Sequence, residues 1–295
     1  MFRLKNLNIL GSKAELALLP EGKLLINTIN AHSYNTARKD GLFAEALTNG
    51  DVLIPDEVSI VKACRWIKAK SQPKERIAGW DLFEFEMNKL EQLGIRNKEL
   101  GICDEESGVN NSSLDNSQSA LADNSCSGKR LYEPSAKLKT QNSEFRSPQQ
   151  TVMFMGSSQK VLDLIVKRAA KVYPHLEVVT YSPPYKPEFS EEDNKAIIDA
   201  INAADPDLLW IGMTAPKQEK WTFSHWNELN IHCHVGTIGA VFDFFAGTVE
   251  RAPVWWQRHG LEWLYRLLKE PKRMWRRYII GNALFLFNVI FRERW

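Results

Sequence analysis

The chain has 295 residues, 44% hydrophobic and 25% charged, enough for one large domain with a core plus an appendage and unlike a disordered chain. Its four cysteines form no CxxC pair and sit in no His-rich ligand spacing, which argues against a zinc framework and a disulfide scaffold. The formal charge of +2 is uneven: residues 251–295 hold ten Lys/Arg against three Asp/Glu, leaving the rest acidic, so the tail and not the body is expected to meet an anionic surface, and no nucleic acid is expected.

The opening MFRLKNLNIL lacks the apolar core of a secretion signal. Apolar runs at 23–28, 52–54, 151–155, 176–180, 207–211 and 231–235 read as strands. Between them, 81–93 places Leu82, Phe85, Met87 and Leu90 near one helical face. Residues 157–172 open with a serine cap and space Val161, Leu164, Ile165 and Ala169 helically. Residues 190–203 start with a capping-box pattern, Ser190 with Asp193. This alternation predicts an α/β fold, a Rossmann-like, mostly parallel sheet with helices on both faces. Ligands in such sheets bind beyond the carboxyl ends of the strands. Residues 103–150, rich in Ser and Asn and without a sustained period, read as a mobile insertion in a catalytic domain spanning 1–250.

From Arg251 the composition changes. Half of the ten tryptophans (Trp255, Trp256, Trp263, Trp275 and Trp295) are interleaved with basic residues, and Gly260 and Pro271 divide the segment into short helices. Tryptophan at headgroup level with Lys/Arg beside it is the composition of a membrane-associating appendage. The apolar run 278–291 is short of a span, roughly 21 Å as a helix against a hydrocarbon core of ~30 Å. The expected location is cytoplasmic, peripheral on the inner face of the plasma membrane.

Four polar groups follow strand ends: Thr28-Ile29-Asn30, Ile54-Pro55-Asp56, Ala215-Pro216-Lys217-Gln218-Glu219 and Phe242-Asp243-Phe244. Each alone could cap a helix or shape a turn; together they suit one crevice. No GxGxxG follows the first strand, which sets aside a dinucleotide enzyme. Asp205-Pro206-Asp207 spells DxD but opens a strand, at the end away from ligands.

The stretches TINAHS (28–33), IPD (54–56), GWDL (79–82), APKQEKW (215–221), GAVFDFFAGTVERAP (239–253) and GLEWLYRLLKEPKRMWRRY (260–278) resemble the WecG/TagA/CpsF glycosyltransferases, glycosyltransferase family 26. The resemblance implies inverting, metal-independent transfer of an N-acetylmannosamine-type or related sugar from a UDP-sugar to a polyprenyl-diphosphate-linked acceptor. It implies no cofactor, and it extends homo-oligomer formation to this chain as an expectation. By matching position, Asp56 is the expected base, with Thr28 and Asn30 lining the sugar pocket. Gln218 is expected near the diphosphate or sugar, Asp243 near the uridine, and Tyr185 against the nucleotide. Arg266, Arg273 and Arg276 are the arginines the appendage brings to the site. Glu57, Trp80 and Thr214 depart from the family pattern, which usually has Gly, Thr and Gly there.

Overall fold

A computed structural model describes residues 2–99 and 149–293. The expected insertion lies outside them, except for its last two residues. Six parallel strands run in the order β2-β1-β6-β5-β3-β4: β1 Leu24–Ile29, β2 Val52–Pro55, β3 Gln150–Gly156, β4 Leu176–Tyr181, β5 Leu208–Gly212 and β6 His234–Thr237. The predicted strands all form. The last starts later than its apolar run suggests: Ile231 and Cys233 are buried ahead of the ladder that His234 begins.

Period-two alternation assigns the two faces. Val152, Phe154, Leu208 and Trp210 point to the side covered by α4 (Gly79–Glu99), α5 (Gln159–Val172) and α8 (Gly239–Ala246). Met153, Met155, Leu209 and Ile211 point to the side covered by α6 (Glu191–Ala204) and α7 (Lys217–Ser224). On the first side, Phe83 packs 5.5 Å from Trp210 and 4.9 Å from Phe245 between ring centroids. Burying each such side chain is worth roughly 1.5–3 kcal/mol. A Cβ at position 236 would lie 2.2 Å from the Trp210 ring, so the strand beside that indole carries glycine. The capping box at Ser190 and Asp193 opens α6 as its sequence predicts.

Two short helices, α1 (Ala31–Ala37) and α2 (Gly41–Asn49), link β1 to β2, and α3 (Val58–Trp66) follows β2. The tail then runs α9 (Val254–Arg258), α10 (Glu262–Lys269), α11 (Pro271–Trp275, proline in its first turn) and α12 (Gly281–Asn288), with wider π turns over Arg276–Ile280 and Val289–Glu293. It is folded back onto the body. Phe285 and Val289 join a core cluster with Phe2, Leu4, Ile29 and Tyr34. Buried Glu293 accepts the backbone N–H groups of Leu4 (3.0 Å) and Lys5 (3.2 Å) and the Tyr34 hydroxyl. Asn35 Nδ2 donates to the Gly281 carbonyl at 2.7 Å.

The tail's tryptophans are divided. Trp255 and Trp275 are exposed, whereas Trp256 and Trp263 are partly buried against Tyr265 and Tyr278 and so help join the tail helices. The larger exposed apolar surface is aliphatic and phenylalanine-rich: Ile279, Ile280, Leu284, Leu286, Phe287 and Phe291. No helix among the described residues is long and apolar enough to cross a membrane.

Candidate active site

The candidate site is the group of residues that follow the carboxyl ends of β1, β2, β5 and β6. Asp56 follows β2 directly, and its N–H continues the ladder to the Ile29 carbonyl at 2.9 Å. Its Oδ1 accepts the N–H of Gly79, the first residue of α4, at 3.2 Å; the open N-terminus of a long helix is a favourable partner for a carboxylate. Gly79 in turn lies against Ile238, where a Cβ would meet the Ile238 side chain at 3.3 Å. A Cβ on Gly239 would sit 2.2 Å from the Met213 carbonyl and 2.8 Å from Gln218 Oε1, so glycine there lets α8 start against the loop after β5. These contacts join the strand-end stretches around one crevice.

Thr28 lies at the end of β1, paired in register with Ile54, and is partly exposed. Asn30 is buried and caps α1: its Oδ1 accepts the Ser33 N–H at 2.9 Å and the Ser33 hydroxyl at 3.1 Å. Gln218 is buried as well. Its Oε1 accepts the Met213 N–H at 3.1 Å and its amide donates to Glu219 at 2.9 Å, so it holds the 213–218 loop from within. Asp243 accepts the Thr248 hydroxyl and closes the turn after α8. Tyr185 stands fully in solvent, on the loop after β4. Asp207 accepts the Thr151 N–H at 2.8 Å at the amino edge of the sheet, the end opposite Asp56.

The tail contributes cations. The Arg266 guanidinium lies 4.7 Å from the Phe244 ring and bonds the Tyr278 hydroxyl. Burial works against its charge, but Tyr278, Glu262 and Asp56 outweigh burial and hold its pKa above the ordinary value. Arg276 is exposed and lies 5.4 Å over Trp275. Arg273 sits on α11, and its side chain is outside the described ones. The residue that sequence reasoning passed over is Arg277, whose charge acts on both His32 and Glu57. Arg277 lies in the widened turn over Arg276–Ile280, an i+4 step from Arg273.

The departures from the family pattern acquire local roles. Glu57 Oε2 accepts the Ala31 N–H and the Ser59 hydroxyl, each at 3.0 Å, tying the Asp56 loop to α1. Burial and the neighbouring Asp56 charge raise its pKa, against those two donors and Arg277. Trp80 lies 5.3 Å under Arg251, which with Arg76 flanks Glu262 of α10. His32 is held below its ordinary pKa by burial and by Arg277 and so stands neutral near pH 7. Glu219, fully buried, is pushed up to about 7 by burial; its Oε2 finds no hydrogen-bond partner among the described residues.

Comparison with known proteins adds the family. A protein of Bacillus subtilis (strain 168) named N-acetylglucosaminyldiphosphoundecaprenol N-acetyl-beta-D-mannosaminyltransferase is 25% identical over 255 residues, 86% of this chain and 75% of the relative. A Bacillus spizizenii protein of the same name is 25% identical over 269 residues, 91% of this chain and 80% of its own. The family model for glycosyl transferases of the WecG/TagA/CpsF type matches residues 5–105 and 136–295, passing over part of the segment read as an insertion. The strand-end carboxylate, the arginines of the folded-back tail and this match lead to one assignment: the chain belongs to the WecG/TagA/CpsF family of glycosyltransferases.

Proposed function

We propose that this glycosyltransferase moves an N-acetylmannosamine-type sugar from a UDP-sugar to a polyprenyl-diphosphate-linked N-acetylglucosamine at a membrane surface. The names of the Bacillus relatives support donor sugar and acceptor. The observation that carries the chemistry is the place of Asp56 at the end of β2, its carboxylate on the first N–H of α4, with the charge of Arg266 from the tail acting on it. Asp56 takes the proton of the acceptor hydroxyl as that oxygen bonds the anomeric carbon. The bond from that carbon to the diphosphate breaks on the opposite face, which inverts the centre, and UDP departs with the electron pair. Arg266 meets the charge that grows on the leaving diphosphate, so no metal is required for it. Thr28 and Asp243 border the crevice, for sugar and nucleotide respectively; Asn30 and Gln218 act by holding its walls. Arg273 is carried forward as a second cation; Arg276, exposed over Trp275, is not.

The exposed apolar strip beside a segment rich in Lys/Arg supports peripheral attachment to an anionic bilayer, each basic group adding about 1 kcal/mol. The test is transfer from UDP-N-acetylmannosamine to a prenyl-diphosphate-linked N-acetylglucosamine, read by mass spectrometry, for wild type and Asp56→Asn. The wild type should transfer. The variant should lose roughly 10²–10⁴ in rate while binding UDP within a few-fold, and a variant keeping half of the wild-type rate removes Asp56 as the base.

A further inference from the structure

Arg277 has four properties that belong together. Its helix is bonded to α1, the element after β1, through Asn35 and the Gly281 carbonyl, and its charge acts on His32 of α1 and on Glu57, the neighbour of the proposed base. Its guanidinium carbon is 5.9 Å from the ring of Tyr278, whose hydroxyl takes the bond from Arg266. Its Nε is buried and finds no hydrogen-bond partner among the described residues. A guanidinium has donors and no acceptor, and a buried donor left open is costly unless something meets it. Finally, Arg277 stands at the root of the exposed apolar strip: Ile279, Ile280, Leu284, Phe287 and Phe291 follow it on the same continuous helix. From 277 to 291 that helix extends about 21 Å.

Three zones therefore follow one another: a carboxylate base, a cation with an open donor, and an apolar strip. A lipid-linked glycan carries matching parts in the same order: a sugar hydroxyl, a diphosphate and a prenyl chain. Arg266 lies elsewhere in this sequence, on α10 ahead of Pro271 and against Phe244, the neighbour of Asp243. With Asp243 proposed at the nucleotide, Arg266 stands on the donor's side of the site. We propose that Arg277 binds the diphosphate of the lipid-linked acceptor, leaving Arg266 to the diphosphate of the donor.

This rests on the glycosyl transfer proposed above, and the test separates the two ideas. Full-length wild type, Arg277→Ala and Arg277→Lys are compared in two measurements: steady-state transfer to a short prenyl-diphosphate-N-acetylglucosamine at saturating UDP-sugar, and calorimetric binding of UDP. The loss of charge-assisted bonds to a diphosphate should raise the acceptor KM of Arg277→Ala by about 10- to 150-fold. UDP affinity should stay within about twofold, which also reports an intact fold. Lysine keeps the charge without the fork, so Arg277→Lys should recover part of the loss. If the alanine variant does not fold, the lysine variant decides, with a rise of at least about threefold expected.

An alkyl N-acetylglucosaminide supplies the hydroxyl and the apolar chain but no diphosphate, and wild type and variants should use it equally poorly. An acceptor KM unchanged in the variants, an equal loss on both acceptors, or a fall in UDP affinity matching the rise in KM would each overturn the assignment. A wild type that binds UDP yet shows no difference from Arg277→Ala removes only this proposal. A wild type that neither binds UDP nor transfers removes the glycosyl-transfer reading, and this proposal with it.

Discussion

The two ends of the sheet hold buried ionisable groups on opposite terms. At the amino end, His234 Nδ1 lies 2.9 Å from Glu86 and Nε2 lies 2.9 Å from the Pro20 carbonyl. With Glu86 ionised both partners are acceptors, which favours the protonated ring, and the pair is buried and complete. At the carboxyl end, the buried Arg277 Nε and Glu219 Oε2 have no partner among the described residues, and Asp56 and Glu57 sit side by side. A finished network stiffens a fold; open donors and neighbouring like charges are tolerated where a substrate completes them. On the proposed function, the amino end is structural and the carboxyl end chemical.

Breaking the complete pair gives the largest expected effect on stability. Glu86→Ala takes away the acceptor of a buried ring nitrogen and the group that favours its charge, and should cost about 1–3 kcal/mol. This is read as a lower midpoint in chemical denaturation, with transfer by the folded fraction unchanged. A parallel loss of turnover in the folded protein would show that the two ends are not separate. Burial pulls the His234 pKa down, but Glu86 and the Pro20 carbonyl outweigh it and the folded value lies above the ordinary 6.5. The stability this pair lends is thus fully present below pH 6.5 and fades as pH rises through the folded value.

Glu219 sharpens the contrast by titrating in another window. The folded chain keeps its proton up to about pH 7, while the unfolded chain releases it near the ordinary 4.5. The folded state then binds more protons between those values, so stability falls as pH rises from about 4.5 to about 7. Glu219→Gln keeps the neutral shape and removes the titration. It should match wild type near pH 4.5 and be the more stable above pH 7, read as thermal midpoints across pH; an identical pH slope in both proteins contradicts a protonated Glu219. The smallest effect belongs to the tail clasp. Asn35→Ala removes the 2.7 Å bond to the Gly281 carbonyl and should cost about 1 kcal/mol. It should show as faster proteolysis within residues 251–293 with the body's unfolding midpoint little moved. Uniform destabilisation would mean that tail and body melt as one.

Sheet and helices were legible because each strand is an apolar run bounded by turn residues, and Ser190 with Asp193 marks its helix start by a purely local rule. The place of Asp56 at a strand end was legible for a similar reason, since it follows its strand directly. What escaped depends on partners that no local pattern announces. Gln218 and Asn30, expected at the substrate, are buried and bonded within their own loops. Nothing near Glu86 announces His234, 148 residues later. Arg277 was hidden by its neighbour, because its burial depends on the tail folding back onto the body, which local spacing does not show.

The bond from Glu293 to the backbone of Leu4 and Lys5 has a consequence in time. During synthesis at about 5–20 residues per second, the surface formed by Phe2, Leu4 and Tyr34 waits until Phe285, Val289 and Glu293 leave the ribosome. Arg266 and Arg277 arrive in the same last stretch. A nascent chain therefore carries Asp56, the proposed base, long before the proposed cations, and the site gains its charge balance only when the seam between Leu4 and Glu293 closes. Completion of the fold and onset of catalysis are one event.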